Sequence, residues 1–253
     1  MGAEAVARSR PDGHVLLAGS NGPLTVNPSL QANLPYDPVR DFAPIAMASG
    51  VPNALVARRA LPVQDLRGFV ALSKSQPSGL NVASTGTGTV THLTLERFRI
   101  ATGGNFTHVP YRGGGQVGAD IIAGTVDGAI FEMNTALPLH RAGSVRILAV
   151  ASAQRSPLLP DVPTFIESGV ADFTAASFVG LLAPTGTPDA VLAALRDAMA
   201  AGLADEVVRT RITEAGGVMS AEAERQPAGF AAFIRAELAR SRAAAEAAGL
   251  RPA

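Results

Sequence analysis

Short apolar runs alternate with stretches of helical period along most of the chain. The runs at 15–18, 54–57, 80–83, 106–109, 128–131, 145–151 and 178–182 read as strands. Most are continuous rather than alternating, the mark of strands covered on both faces. Between them, 64–74, 90–101, 116–123, 135–141 and 164–168 carry helical patterns, and this alternation of strand and helix predicts parallel sheets in an α/β protein. From 188 onward the pattern changes to helices alone, at 188–201, 205–214 and 227–248, the first opened by Thr187 as N-cap with Pro188 at the first helical position. At the other end, 3–9 read as the tail of an alanine-rich helix stopped by the turn PDG at 11–13.

The loop after the run at 80–83 carries the most distinctive chemistry. In NVASTGTGTVTHLTLERF, at 81–98, an apolar run ending at Ser84 meets a hydroxyl- and glycine-rich loop that passes into a helical pattern. Enzyme templates do not fit it. A dinucleotide fingerprint needs a third glycine where Thr91 stands, a P-loop needs Gly-Lys-Ser/Thr, and a nucleophile elbow needs glycine at Val82. What remains is a set of hydroxyls and backbone N–H groups at a helix N-terminus, which favours an anion through unpaired donors and the helix dipole. Ser84, Thr85, Thr87 and Thr89 can equally be helix caps, and His92, one turn inside the helix, is either a structural hydrogen-bonding residue or a ligand group.

Other strand ends repeat the arrangement. SNG at 20–22 is an ordinary turn or a second ligand loop, and sheets of this class bind ligands at the carboxyl ends of their strands. The glycines of VPYRGGG at 109–115 serve close backbone approach or a tight turn. Glu132 and Asn134 follow GAIF, where a carboxylate receives a ligand amine or anchors a neighbouring loop.

Composition removes several function classes. With 47% hydrophobic and 17% charged residues, 253 residues suit a globular protein of one or two domains. Basic and acidic residues balance at 21 each, so nothing favours a nucleic-acid partner. No run of apolar residues is long enough for membrane insertion. The absence of cysteine excludes disulfides and thiolate chemistry, and His14, His92, His108 and His140 are scattered without metal-ligand spacing. Neither a metal nor a cofactor is expected. The first residues show neither a secretory signal nor a myristoylation pattern, Val6 standing where the latter needs a hydroxyl.

The segments PDGHVLLAGSNGPLTVNPSLQANLPYDPVRDFAPIA, LNVASTGTGTVTHLTLERF, HVPYRGGG, ALPLHRAGSVRILAVASAQRSPLLPDVPTFIESG and SFVGLLAPTGTP together resemble the Bug receptors, the periplasmic solute-binding components of tripartite tricarboxylate transporters. The resemblance runs from about Gly2 to the C-terminus in consistent order. It implies a periplasmic-binding-protein-like (type II) fold of two α/β domains, 1–78 with 176–253 and 79–175, joined by crossing strands, with a small carboxylate held in the cleft between them. It implies capture and delivery to membrane transporter subunits rather than catalysis, closure by a hinge at the crossing segments, and a periplasmic location. Carried over residue by residue, it places Ser84, Thr85, Gly86 and Thr89 on a carboxylate loop with His92 beneath them, Ser20 and Asn21 on the inner loop of the first domain, and Ser177 and Phe178 on the crossing segment. It also places Glu132 among the ligand-binding residues, although Glu stands there where the family commonly has Asp and its extra methylene moves the carboxylate by more than an ångström. Family members begin with a signal peptide, a first strand and a Gly/Pro-rich loop; Met1 aligns within the helix after that loop, so either a misassigned start or a truncated copy is expected, the former favoured because every later element is intact. The other readings are a hydrolase using Ser84 with His92 on the same scaffold, and a ligand sensor for a signalling partner.

Overall fold

A computed structural model describes residues 2–250; Met1 and 251–253, assigned to domain one above, lie outside them. The chain divides into two compact units, one made of residues up to Gly50 and from Phe178, the other of Val51–Ser177. It passes from the first to the second within β2 (Phe42–Arg58) and returns within β7 (Ala176–Pro184).

The second unit is built on β6 (Val145–Val150), β2, β5 (Gly128–Glu132), β3 (Leu80–Ser84) and β4 (Phe106–Pro110). β3 is parallel to both β4 and β5, whereas β2 is antiparallel to β5 and β6. The sheet is therefore mixed rather than parallel throughout, because β2 enters from the other unit and not through a helical crossover. Alternate residues of the strands supply two cores. Leu55, Leu80, Val82, Phe106 and Ile130 pack with Phe69 of α3 (Leu66–Ser75) and Leu95 and Phe98 of α4 (Val90–Thr102). Ala54, Val56, Ala83 and Phe131 pack with Val117 and Ile121 of α5 (Gly114–Ala123) and with Ala136 and Leu137 of α6 (Met133–Arg141). Covering both faces is what makes the strand runs continuously apolar.

In the first unit β1 (Leu17–Ser20) pairs antiparallel with β7, and β8 (Val218–Met219) adds to β2 at Ser49 and Gly50. Its core joins Ala3 and Val6 of α1 (Gly2–Ala7), Leu17, Leu24, Phe42, Phe178 and Leu182 to Phe230 and Ile234 of α9 (Pro227–Ala247). Leu24 lies in a π-helical turn, Gly22–Val26, which leads into the short α2 (Asn27–Leu30). A separate layer sets Ile45, Ala46 and Ala183 against Leu192 and Leu195 of α7 (Asp189–Ala204), and α8 (Glu206–Glu214) follows with no buried residue.

Several expectations are corrected. Residues 51–78, read as part of domain one, belong to the second unit, because the distal half of β2 lies between β5 and β6 and α3 buries Leu66 and Phe69 there. The segment 164–168 is a run of turns: Thr164 and Glu167 exchange side-chain bonds to each other's N–H as at a helix start, but Gly169 at φ 98° reverses the chain within that turn. Thr187 does not cap α7. Its buried hydroxyl donates to the Pro184 carbonyl at 2.8 Å, and Pro188 occupies the cap position without a side-chain bond.

Candidate ligand-binding site

Because β3, β4 and β5 are parallel, their carboxyl ends lie along one edge of the second unit, and α4, α5 and α6 all begin there, at Val90, Gly114 and Met133. Three helix first turns thus direct unmet N–H groups and positive dipole ends to the same edge.

The loop 85–89 is held by a closed set of hydroxyl bonds. Thr89 caps α4, accepting the His92 N–H at 3.3 Å and donating to the Gly86 carbonyl at 2.7 Å. Thr91, only 1% exposed, accepts the Thr85 N–H at 3.0 Å and bonds the Thr85 and Thr89 hydroxyls at 2.8 and 2.9 Å. Gly86 stands at φ 142°, where an added Cβ would meet the Tyr111 carbonyl oxygen at 3.0 Å, so the loop can lie against the neighbouring one only as glycine. The Tyr111 N–H ties the same two loops through the Ser84 carbonyl at 3.1 Å. The main-chain N–H groups of Thr87, Val90 and Thr91 have no acceptor among the described residues.

Beneath the loop lies a buried polar layer on the α4 face of the sheet. Ser84 is fully buried, and its hydroxyl bonds His108 Nε2 at 2.7 Å while also meeting the Gly86 N–H and carbonyl at 3.2 Å. His108 stacks on His92, with ring centroids 3.8 Å apart and planes 11° from parallel. His92 Nδ1 accepts the Gly88 N–H at 3.0 Å, and Nε2 lies 3.8 Å from Glu96, whose carboxylate is paired with Arg99 at 2.7 Å. Asn53 of β2 donates to Thr94 at 2.8 Å, which in turn donates to the Val90 carbonyl; Asn53 Oδ1 is buried with no partner among the described residues.

The expected site residues separate accordingly. Thr85, Gly86 and Thr89 sit on the exposed side of the loop, half-buried. The Ser84 hydroxyl and the His92 ring instead face inward, because β3 carries Ser84 on the same face as Val82 and that face is covered by α4. The hydrolase reading fails on the same geometry: Ser84 is inaccessible and pairs with His108, not with His92. The Glu132 carboxylate accepts the Ser177 hydroxyl, the loop-anchoring role rather than a free ligand group. In the first unit, Ser20 ends β1, and buried Asn21 accepts the Phe178 N–H through Oδ1 at 2.7 Å, while the Phe178 ring packs edge-on to Phe230 and Phe233. Asn21 and Phe178 therefore brace that turn and the core.

Sequence reasoning missed His108, Thr91 and Asn53. His108 was detectable in part, since the period of two in FTHV puts it on the same strand face as Phe106. Among the described residues no His, Asp or Glu group is arranged to hold a metal, and no helix is long and apolar enough to cross a membrane.

Burial sets the electrostatics of the imidazole pair. It pushes His108 down to about 4, with the neighbouring His92 adding to the effect, and it holds His92 below the ordinary imidazole value against a smaller opposing pull from Glu96. Both groups bind protons less readily folded than unfolded. Their contribution is complete above about pH 6.5 and declines as the pH falls toward about 4, because the unfolded chain takes up protons first. Urea midpoints followed by circular dichroism at pH 7.5 and 4.5 should show the second unit weakened by about 1–2 kcal/mol, a figure already reduced for the solvent that reaches His108. Equal midpoints would remove this account.

The family model for the tripartite tricarboxylate transporter family receptor, TctC, matches residues 1–250. The chain belongs to that family. Among curated relatives, BugT of Bordetella pertussis is 34% identical over 196 residues, which is 77% of this chain and 60% of that protein, so the chain matches about three-fifths of that relative's length. Among solved structures, an adipate-bound Rhodopseudomonas palustris protein superposes with a TM-score of 0.84 at 31% identity, covering 99% of this chain and 83% of the other. MatC from the same organism, with bound malate, gives 0.80 at 33% identity, covering 96% and 83%. The fold is thus the periplasmic-binding-protein fold of TctC receptors, a family named for binding and not for catalysis.

Proposed function

We propose that this TctC-family chain is a periplasmic receptor that captures a small carboxylate at the 85–89 edge of its second unit and delivers it to the membrane subunits of a tripartite tricarboxylate-type transporter. The observation that carries the reading is the convergence of three helix N-termini on one strand edge, with the N–H groups of Thr87, Val90 and Thr91 unmet. Fixed donors and dipole ends favour a carboxylate without a dedicated cation. Arg112, exposed on the adjoining 111–113 loop, adds positive charge at the rim. The malate and adipate held by the two relatives make dicarboxylates of four to six carbons the first class to test.

Calorimetry and thermal shift with malate, adipate and intermediate dicarboxylates test it. A ligand at a hundred times its dissociation constant should add about 2.7 kcal/mol of stability. Thr89→Ala should weaken binding about tenfold and cost about 1 kcal/mol of stability through the lost cap. Absence of heat and of thermal shift across the whole panel would sink the reading.

A further inference from the structure

We propose that His92, stacked on His108, is a positioning residue for the 85–89 loop, holding it in its binding shape only while its ring is neutral, so that acid releases the loop. The proposal rests on the carboxylate reading above for its consequence, but its structural part stands on the rings themselves.

His92 secures one glycine amide of the loop, and Ser84, bonded to His108, secures another. His92 Nδ1 accepts the Gly88 N–H at 3.0 Å, and the Ser84 oxygen, bonded to His108, accepts the Gly86 N–H. These glycines stand at φ 142° and 72°, conformations that give the loop its tight course. A nitrogen that accepts an N–H carries no proton, so neutral His92 has its hydrogen on Nε2, on the Glu96 side. Protonation places a second hydrogen on Nδ1, facing the Gly88 N–H donor to donor. That bond is then lost, and the charged ring is drawn toward Glu96 instead. Stacking at 3.8 Å couples the two rings, because a charge on one opposes a charge on the other.

The surroundings supply little to offset this. From α4 the pair is faced by Glu96, already paired with Arg99, and from β3 by the uncharged Ser84 hydroxyl; each ring is the other's remaining titratable neighbour. His92 is 4% exposed and Ser84 0%, so water cannot replace the broken bonds without displacing the loop.

The test is an NMR titration of the ligand-free protein from pH 8 to 3, following the imidazole nitrogens together with the Gly86 and Gly88 amides. The Gly88 amide should move with the imidazole titration, at a midpoint below the free-histidine value. In His92→Asn the amide oxygen replaces Nδ1 as acceptor without titrating, so Gly88 should keep its hydrogen-bonded shift throughout. In His108→Phe the stacking face remains and Ser84 still accepts the Gly86 N–H, so Gly88 should still follow the His92 titration. A Gly88 amide that ignores the imidazole titration, or a His92 ring that titrates at the free value, would overturn the proposal, and the wild-type titration decides this whether or not the variants fold.

A second reading uses malate and adipate by calorimetry. One pH unit below the midpoint the competent fraction is about a tenth, so affinity, reckoned for the fully ionised dicarboxylate because the ligand's own carboxyls titrate in the same range, should fall about tenfold. A Gly88 amide that follows the His92 ring while no dicarboxylate binds would leave the loop clamp standing and remove the carboxylate reading. Affinity unchanged through the midpoint would remove the positioning role and leave the carboxylate reading intact.

Discussion

Gly180→Ala is expected to lower the stability of the first unit by about 3 kcal/mol, as overpacking of a fixed core does. Gly180 lies in the middle of β7, in register with Gly19 of β1. A Cβ there would stand 2.4 Å from Phe230 Cζ, 2.6 Å from its Cε1 and 2.9 Å from the Ala46 carbonyl oxygen. Neither neighbour can give way. Phe230 is fully buried and packed edge-on to Phe178, and the Ala46 carbonyl is strand backbone. Circular dichroism during urea unfolding provides the readout, since the chain has no tryptophan. Gly202→Ala in α7 is the control: a Cβ there meets nothing within 4 Å, and removing a helical glycine should stabilise by about 0.5 kcal/mol. Similar midpoints for Gly180→Ala and the native chain would show that β7 and α9 can separate without penalty, contrary to this packing.

Thr91→Val should remove one hydroxyl, keep the volume, and weaken dicarboxylate binding roughly tenfold to a hundredfold. Thr89 donates its only hydroxyl proton to the Gly86 carbonyl, so the Thr91 hydroxyl is the donor in their 2.9 Å contact. Its two acceptor positions take the Thr85 N–H and hydroxyl. Valine leaves the Thr85 N–H without an acceptor in a half-buried loop and frees the cap residue from its neighbour. Fixed donors lose their advantage for an anion once they must be ordered during binding. Amide exchange at Thr85 and calorimetry with whichever of malate and adipate binds the native protein should change together. Affinity within twofold of native, with Thr85 exchange accelerated, would show that the hydroxyl hub shapes the loop without serving capture.

The strand cores at 54–57, 80–83, 106–109 and 128–131 were legible because burial on both faces leaves an uninterrupted apolar run, and the structure carries β2, β3, β4 and β5 through them. α4 and α5 were legible from their helical period. The edge where these elements end was legible too, since the order strand, loop, helix places a helix N-terminus there. The full length of β2 was not. Its stretch 42–52 contains Pro44, Ser49, Gly50 and Pro52, residues that weaken a strand pattern, and its pairing with β8 and its place between β5 and β6 come from distant segments.

Local sequence determined which segments become strands, loops and helices, and gathered hydroxyls and glycines before α4, because side-chain period and backbone freedom act over a few residues. Tertiary structure decided which of those groups face outward. Ser84 meets His108 because parallel register sets Val82 opposite His108, 26 residues away, and α4 then covers that face and lays His92 on the second ring. Neither the register nor the covering helix is encoded in any short window. A hydroxyl on a loop therefore reads the same in sequence whether it meets a ligand, as proposed for Thr89, or supports the loop from below, as Ser84 does.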